Sequence, residues 1–315
     1  MENDQLELYK KYRPYKWNDL IGQTEVVAQL KGMIEKKTLP HTLLITGPSG
    51  CGKTTIARII KQELDVGDSD YQEVDCADNN GIDTVRALKS RINAAPLSGH
   101  WRMFLLDECH QLTTNAQDSL LKLLEDTPRH VFFLLNTTDP RKLKDTIRTR
   151  CTEVKVKSLG PDAIRAVLIR VMKKEKIKLE EEVVDKIITT AQGSARRALV
   201  SLHQIQGMET ADEQMELIAS QDEEIAGIDL ARKLMDLNAT WGDVAAVLKS
   251  IEHDPETCRR IVLGYAAAIL LNQSKQSRIG LRAALILEAF EDNVYDSGRH
   301  GLVLRAWNVF CTPQK

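Results

Sequence analysis

The chain of 315 residues has room for two or three domains, each with its own core, and its 43% hydrophobic and 28% charged residues make a globular composition. A formal net charge of -2 excludes an overall basic field, so any nucleic-acid surface must be a local patch. The six cysteines form no CxxC pair and no short Cys/His cluster, which argues for free thiols in a reducing compartment rather than structural zinc. With no apolar run of membrane-spanning length and no signal-peptide core, no membrane contact is expected; the expected location is cytoplasmic, or host cytoplasm or nucleus for a viral or eukaryotic chain.

Residues 8–23 (LYKKYRPYKWNDLIGQ) are aromatic, basic and broken by proline. Tyr12, Pro14, Trp17 and Ile21, with Arg13 nearby, suit either the packing of a flat apolar ring or a strap over the core. A helix follows, with Val26, Val27, Leu30 and Ile34 at helical spacing, and ends near Lys37. Residues 42–46 (TLLIT) then read as a buried strand and 55–64 (TIARIIKQEL) as an amphipathic helix. Between them lies the run Gly47, Pro48, Ser49, Gly50, Cys51, Gly52, Lys53, Thr54, Thr55. Glycines here let backbone N–H groups turn inward around a phosphate, and the helix N-terminus adds partial positive charge. Lys53 would supply a full charge to the β/γ-phosphates and Thr54 a hydroxyl to Mg2+. Strand, loop and helix together predict a nucleotide site.

A short strand at 72–75 and a turn at Asn79-Asn80-Gly81 lead into a helix at 82–95, whose exposed face carries Arg86, Lys89 and Arg91. Such charges are either a solvated face or, with the helix N-terminus, a phosphate-binding patch. The apolar strand 103–106 (MFLL) ends in Asp107-Glu108. Two adjacent carboxylates cannot be core, because unpaired buried charge costs several kcal/mol. At the carboxyl end of a parallel strand they face the ligand side, with Asp107 suited to hold Mg2+ and Glu108 to polarise an attacking water. A helix at 115–125 buries Ala116, Leu120, Leu123 and Leu124. The strand 131–135 (VFFLL) runs into the polar stretch Asn136-Thr137-Thr138-Asp139. A fifth, edge strand at 152–156 (TEVKV) follows Arg148-Thr149-Arg150-Cys151. Those arginines are either surface charge or a finger toward a γ-phosphate, which a neighbouring subunit can supply.

Strands alternating with helices predict a parallel sheet wrapped by crossovers. Beyond residue 158 the strand signals stop. Pro161 opens a helix with Ile164, Val167, Leu168 and Val171 on one face, a second runs over 179–191, and a third over 194–206 carries Arg196 and Arg197 in its first turn. Residues 207–221 are polar and acidic and read as a linker or loose helix. Helical patterns then recur at 225–237, 241–251, 256–272, 280–295 and 301–310. The run 263–271 (LGYAAAILL), apolar nearly all round, points to burial in a bundle or oligomer.

With these pieces the sequence resembles the AAA+ clamp-loader ATPases, the subunits of replication factor C, of bacterial tau/gamma and of phage clamp loaders. KYRPYKWNDLIGQ looks like the box that packs on adenine, GPSGCGKT like Walker A and FLLDECHQLTTNAQDSLLKLLED like Walker B with its helix. FFLLNTTDPRKLKDTIRTRC looks like sensor 1 running into a Ser-Arg-Cys motif, and GSARRAL like sensor 2. The resemblance is dense over 8–202. It implies an α/β P-loop AAA+ core at 1–157, a helical lid at 158–210 and a helical collar at 222–315. It further implies ATP and Mg2+ as cofactors, with Tyr12, Arg13, Pro14 and Ile21 as adenine neighbours. Thr138 would be the sensor 1 residue at the γ-phosphate or water, Arg150 a finger acting in trans, and Arg196 the sensor 2 arginine. Arg86 and Lys89, with Arg91, would track template phosphates. Partners would be the other subunits of a pentameric ring, a sliding clamp and primer-template DNA. The activity implied is ATP hydrolysis stimulated by DNA and clamp.

Thr149 replaces the motif serine, Cys109 stands where an aliphatic residue or alanine is commoner, and the cysteine-rich insert of bacterial tau/gamma is missing, as in a minimal phage, archaeal or eukaryotic-type subunit. Two alternatives remain: a subunit that binds ATP as structure, which should lose Walker or sensor residues, and an AAA+ DNA motor such as a Holliday-junction branch-migration helicase. The latter should end in a strand-containing winged helix.

Overall fold

The computed structural model describes residues 6–251, 254–273 and 277–312, and the chain divides into two compact units, Met1–Gly207 and Met208–Lys315. The outermost residues of the expected core and collar, 1–5 and 313–315, lie outside the described residues.

The first unit holds five strands, β1 (Thr42–Thr46), β2 (Tyr71–Asp75), β3 (Arg102–Asp107), β4 (Val131–Thr137) and β5 (Thr152–Lys155), in the all-parallel order β2-β3-β4-β1-β5. Its helices are α1 (Leu8–Lys11), α2 (Thr24–Glu35), α3 (Lys53–Glu63), α4 (Ile82–Ile92), α5 (Thr114–Glu125), α6 (Asp145–Arg148), α7 (Pro161–Glu175), α8 (Glu181–Ala191) and α9 (Ala195–Ile205). The apolar runs of β1, β3 and β4 form the centre because they are buried on both faces. Leu44, Phe104, Leu106 and Phe133 pack toward α4 and α5, and Leu43, Ile45, Leu105 and Leu134 toward α2 and α3. Each such side chain contributes roughly 1.5–3 kcal/mol by leaving water.

β4 runs two residues past its apolar stretch. Asn136 and Thr137 pair with Ile45 and Thr46 of β1 and are fully buried, because the ladder continues beyond the hydrophobic pattern. At the other end of the sheet, Asp70 accepts from Arg102 (2.8 Å) and from the backbone of Leu97 and Ser98, closing the loop that follows α4. Those donors hold the Asp70 carboxyl well below the usual range against the cost of its burial.

The second unit comprises α10 (Ala211–Met235), α11 (Trp241–Ser250), α12 (Pro255–Leu271), α13 (Arg278–Ala289) and α14 (Gly298–Cys311), with no strand among the described residues. The stretch 207–221, read as a linker or loose helix, forms from Ala211 on the first part of a 25-residue helix. Thr210 caps it by accepting from Glu213 N, and Asp212 and Glu213 complement its N-terminal charge, so the acidic residues that look like linker start the helix. The run 263–271 is not buried all round within this unit: Val262 and Ala266 face the core, whereas Leu271 is 87% exposed. The helix expected over 280–295 stops at Ala289 because a buried pair takes the backbone groups beyond it. Arg259 donates to the carbonyls of Phe290 (2.6 Å) and Glu291 (3.0 Å), and Glu256 accepts from Val294 N (2.9 Å). Among the described residues no helix is long and apolar enough to cross a membrane.

Hydrogen bonds, the one from Arg259 first, hold the Glu256 carboxyl down at about 2 although its burial opposes this. Its stabilising effect is therefore complete above the unfolded value of about 4.3 and lost as pH falls toward about 2. Glu256→Ala, which leaves Arg259 buried without its partner, is expected to cost about 3–5 kcal/mol in urea unfolding at pH 7, and less as the pH is lowered.

Candidate functional site

The sheet places three strand ends side by side. At the end of β1, Gly47 N donates to Thr137 O (3.2 Å) and Val156 N donates to Thr46 O (2.7 Å), so the loop leaves a ladder held on both sides. Gly47, Gly50 and Gly52 have φ of 150°, 74° and 102°, a region that L side chains avoid. Space adds a second demand. A Cβ on Gly47 would lie 2.2 Å from Val156 O, and one on Gly50 2.0 Å from Ser194 Oγ, where α9 begins. α3 starts at Lys53, so its free N–H groups open onto the loop. Lys53 is 5% exposed and its Nζ donates to Gly47 O (2.9 Å) and Pro48 O (3.0 Å). Burial pushes its ammonium below the usual value, with Glu108 and Asp107 acting in the opposite sense.

Thr54 Oγ1 donates to Asp107 Oδ2 (2.7 Å), joining the first turn of α3 to the end of β3. Asp107 Oδ1 accepts from Glu108 N (3.2 Å) and Asn136 Nδ2 (3.3 Å). Glu108 takes a left-handed backbone (φ 48°), which turns its side chain back toward β4. There its Oε2 accepts from Thr138 Oγ1 (2.9 Å) and Thr138 N (3.3 Å), with His110 Nδ1 at 3.3 Å. His110 also meets Thr137 Oγ1 (3.1 Å), and burial lowers its basicity. Neither His110 nor Asn136 was singled out from sequence. His110 reaches the carboxylate only through the turn after β3, and Asn136 only through the β3–β4 register.

A cavity of about 460 Å³ opens over this constellation. Ser49 to Thr55, Asp107, Glu108, Tyr12, Arg13, Pro14, Ile21 and Arg196 line it, whereas Gly47, Pro48 and Thr138 do not. The N-terminal segment does two jobs. Trp17, for which the sequence left ring packing and a strap over the core both open, is 5% exposed and belongs to the core with Leu30 and Ile56; Tyr12, Pro14 and Ile21 face the cavity. The Tyr12 hydroxyl is tied to Glu175 and Arg170 donates to Asp19 O (2.7 Å), so α7 and the N-terminal segment form one wall. Val167 and Val171 of α7 and Leu199 of α9 also line the cavity, although their spacing on sequence placed them on the packed faces of their helices. Arg196 lies over the Tyr9 ring at 5.6 Å. Desolvation, with Arg58 and Arg196 nearby, weakens the basicity of half-buried Arg13.

Three basic residues differ in surroundings. Arg86 pairs with Asp83 (2.9 Å), Lys89 is exposed on the same side, and Arg91, about 140° round the helix from Arg86, donates to Gln72 Oε1 (2.7 Å). Arg150 does not line the cavity; it bonds Glu125 Oε1 (2.5 Å) and Thr146 O (2.9 Å). Cys109 is fully buried beside Val74 and Leu106 and acts as a small core residue, and Cys51 Sγ sits against Gly193 O (3.6 Å), packing the loop on the lid.

Residues 68–160 match the family described as DNA polymerase III, delta subunit, and residues 20–85 the sigma-54 interaction domain. The chain is 33% identical to DNA polymerase III subunit gamma/tau of Mycobacterium tuberculosis over 223 residues, 64% of this chain and 39% of that protein. It is also 33% identical to the gamma/tau subunit of Mycoplasma genitalium over 263 residues, 76% of this chain and 42% of that protein. The chain is a relative of the AAA+ clamp-loader ATPases. It spans about two fifths of the length of these curated relatives. They are bacterial gamma/tau subunits, although the missing cysteine-rich insert points on sequence to a minimal phage, archaeal or eukaryotic-type subunit. The Thermotoga maritima RuvB Holliday junction branch migration motor superposes with a TM-score of 0.56 at 18% identity, over 76% of this chain and 85% of that one. At that identity the likeness shows the shared P-loop AAA+ fold.

The residues present fit the ATP and magnesium that the family implies. The cavity has nucleotide size, the glycine loop and α3 turn backbone donors toward it, and the Thr54 hydroxyl beside the Asp107 carboxylate offers the hard oxygen donors that magnesium takes. Gly47→Ala is expected to weaken nucleotide binding at least tenfold in a fluorescence titration and to lower the melting temperature, because its Cβ would meet the Val156 carbonyl rather than a side chain able to move.

Proposed function

We propose that the chain is an ATPase subunit of a sliding-clamp loader, working in a pentameric ring that opens a polymerase clamp and places it on primer-template DNA. The observation that carries this reading is the Thr54–Asp107 bond at the phosphate loop with Glu108 held by Thr138, which brings the groups suited to hold metal and to polarise water to one site, to be completed by a neighbour's finger. In this reading Lys53 and the α3 N-terminus hold the phosphates, and Tyr12, Pro14 and Ile21 enclose the base. Arg13 and Arg196 bring positive charge to the same cavity from the N-terminal segment and the lid. Bound magnesium, held by Thr54 and Asp107, would offset phosphate charge. Glu108 polarises the attacking water, and Thr138 positions Glu108 and senses the γ-phosphate.

Arg150, outside its own cavity and on the surface, is the finger offered to a neighbour's ATP. Arg86 and Lys89 share a face suited to template phosphates; Arg91, already engaged with Gln72, is the weaker member of that patch. A branch-migration motor is less well supported, since the second unit is five helices without a strand among the described residues.

Glu108→Gln is expected to bind ATP normally and lose hydrolysis; turnover at the wild-type rate would remove Glu108 from this role. Arg150→Ala is expected to bind ATP as wild type does and, in the assembled complex with clamp and primer-template DNA, to hydrolyse it about 10³-fold more slowly.

A further inference from the structure

Asn136 lies within the sensor 1-like stretch but has no role assigned there or in the proposed hydrolysis, yet it is fully buried at the end of β4 beside the carboxylate proposed to hold metal. Its Nδ2 donates to Asp107 Oδ1, which also accepts the Glu108 amide, while Asp107 Oδ2 takes the Thr54 hydroxyl. The two carboxylate oxygens are thereby distinguished, one turned to the backbone of β3 and to β4, the other to the phosphate-loop helix. The orientation of the amide follows from Asp107, since the reversed side chain would set its carbonyl oxygen against a carboxylate oxygen. That orientation leaves Asn136 Oδ1 buried with no hydrogen-bond partner. The strand positions before it, from Val131 to Leu135, are all buried and apolar, and Ile45 is its neighbour on β1. A half-satisfied amide weakens such a sheet, so its effect on the fold does not account for it.

We propose that Asn136 is a positioning residue for the divalent cation: it pins Asp107 in the orientation that sets Oδ2 beside the Thr54 hydroxyl. This rests on the reading of Thr54 and Asp107 as the magnesium-holding pair. Partners that orient a ligand in this way change metal affinity by about 10–100-fold.

The test is binding of a fluorescent ATP analogue by the full chain at graded Mg2+ and in EDTA, with thermal melting in parallel. Asn136→Leu, which keeps the branching of the side chain without its polar atoms, and Asn136→Ala are compared with Asp107→Asn. Both Asn136 variants are expected to need about tenfold more Mg2+ for half-maximal tight binding, to bind as wild type does in EDTA, and to melt at or above the wild-type temperature. A wild-type Mg2+ requirement in both, while Asp107→Asn raises it, overturns the role of Asn136. A lowered melting temperature with equal loss of binding in Mg2+ and EDTA also overturns it, leaving the amide a structural one. An unchanged requirement in Asp107→Asn refutes instead the assignment of the metal pair, and the inference with it.

Discussion

Parallel pairing of β1, β3 and β4, buried on both faces, is the constraint on which the first unit depends. Parallel strands bring like ends together, so the phosphate loop after β1, Asp107-Glu108 after β3 and Asn136 to Thr138 of β4 emerge along one edge. The strand order reverses around β1, with β4 on one side and β5 on the other, which opens a crevice where a ligand can enter. Backbone bonds from Gly47 and Val156 carry the ladder past the formal strands, so the loop starts from a rigid base. The distances within the site follow from sheet register more than from side-chain choice.

The lid and the N-terminal segment then decide what the crevice encloses. Gly50 closely approaches Ser194, Cys51 lies against Gly193, and Tyr12 is tied to Glu175, so the loop contacts a wall built from sequence up to about 145 residues away. The basicity lost by Lys53 and Arg13 on burial has the same origin, since both cations stand in space that only phosphate or carboxylate charge can compensate.

Much of the fold was legible because its signals are local. Each central strand is a continuous apolar run, each crossover helix has its own periodicity, and the glycine loop lies where a strand meets a helix. Tertiary partners decided where local pattern left a reading open or misplaced an end. The acidic stretch, linker or loose helix by composition, became the first part of α10 once Thr210 capped it, α13 stopped early because Glu256 and Arg259 took the next backbone groups, and Trp17 took the strap reading, in the core rather than the cavity.

By itself the sequence determined the order of the motifs, the parallel α/β architecture and the candidate charges Lys53, Asp107 and Glu108, since chemistry and short-range spacing suffice for these. Only the tertiary structure decided which groups meet: Thr54 and Asn136 on Asp107, Thr138 and His110 on Glu108, and Arg150 turned away from its own cavity. The physical reason is that these contacts link strands and helices up to 53 residues apart, and their pairing depends on register and burial, which no local pattern encodes.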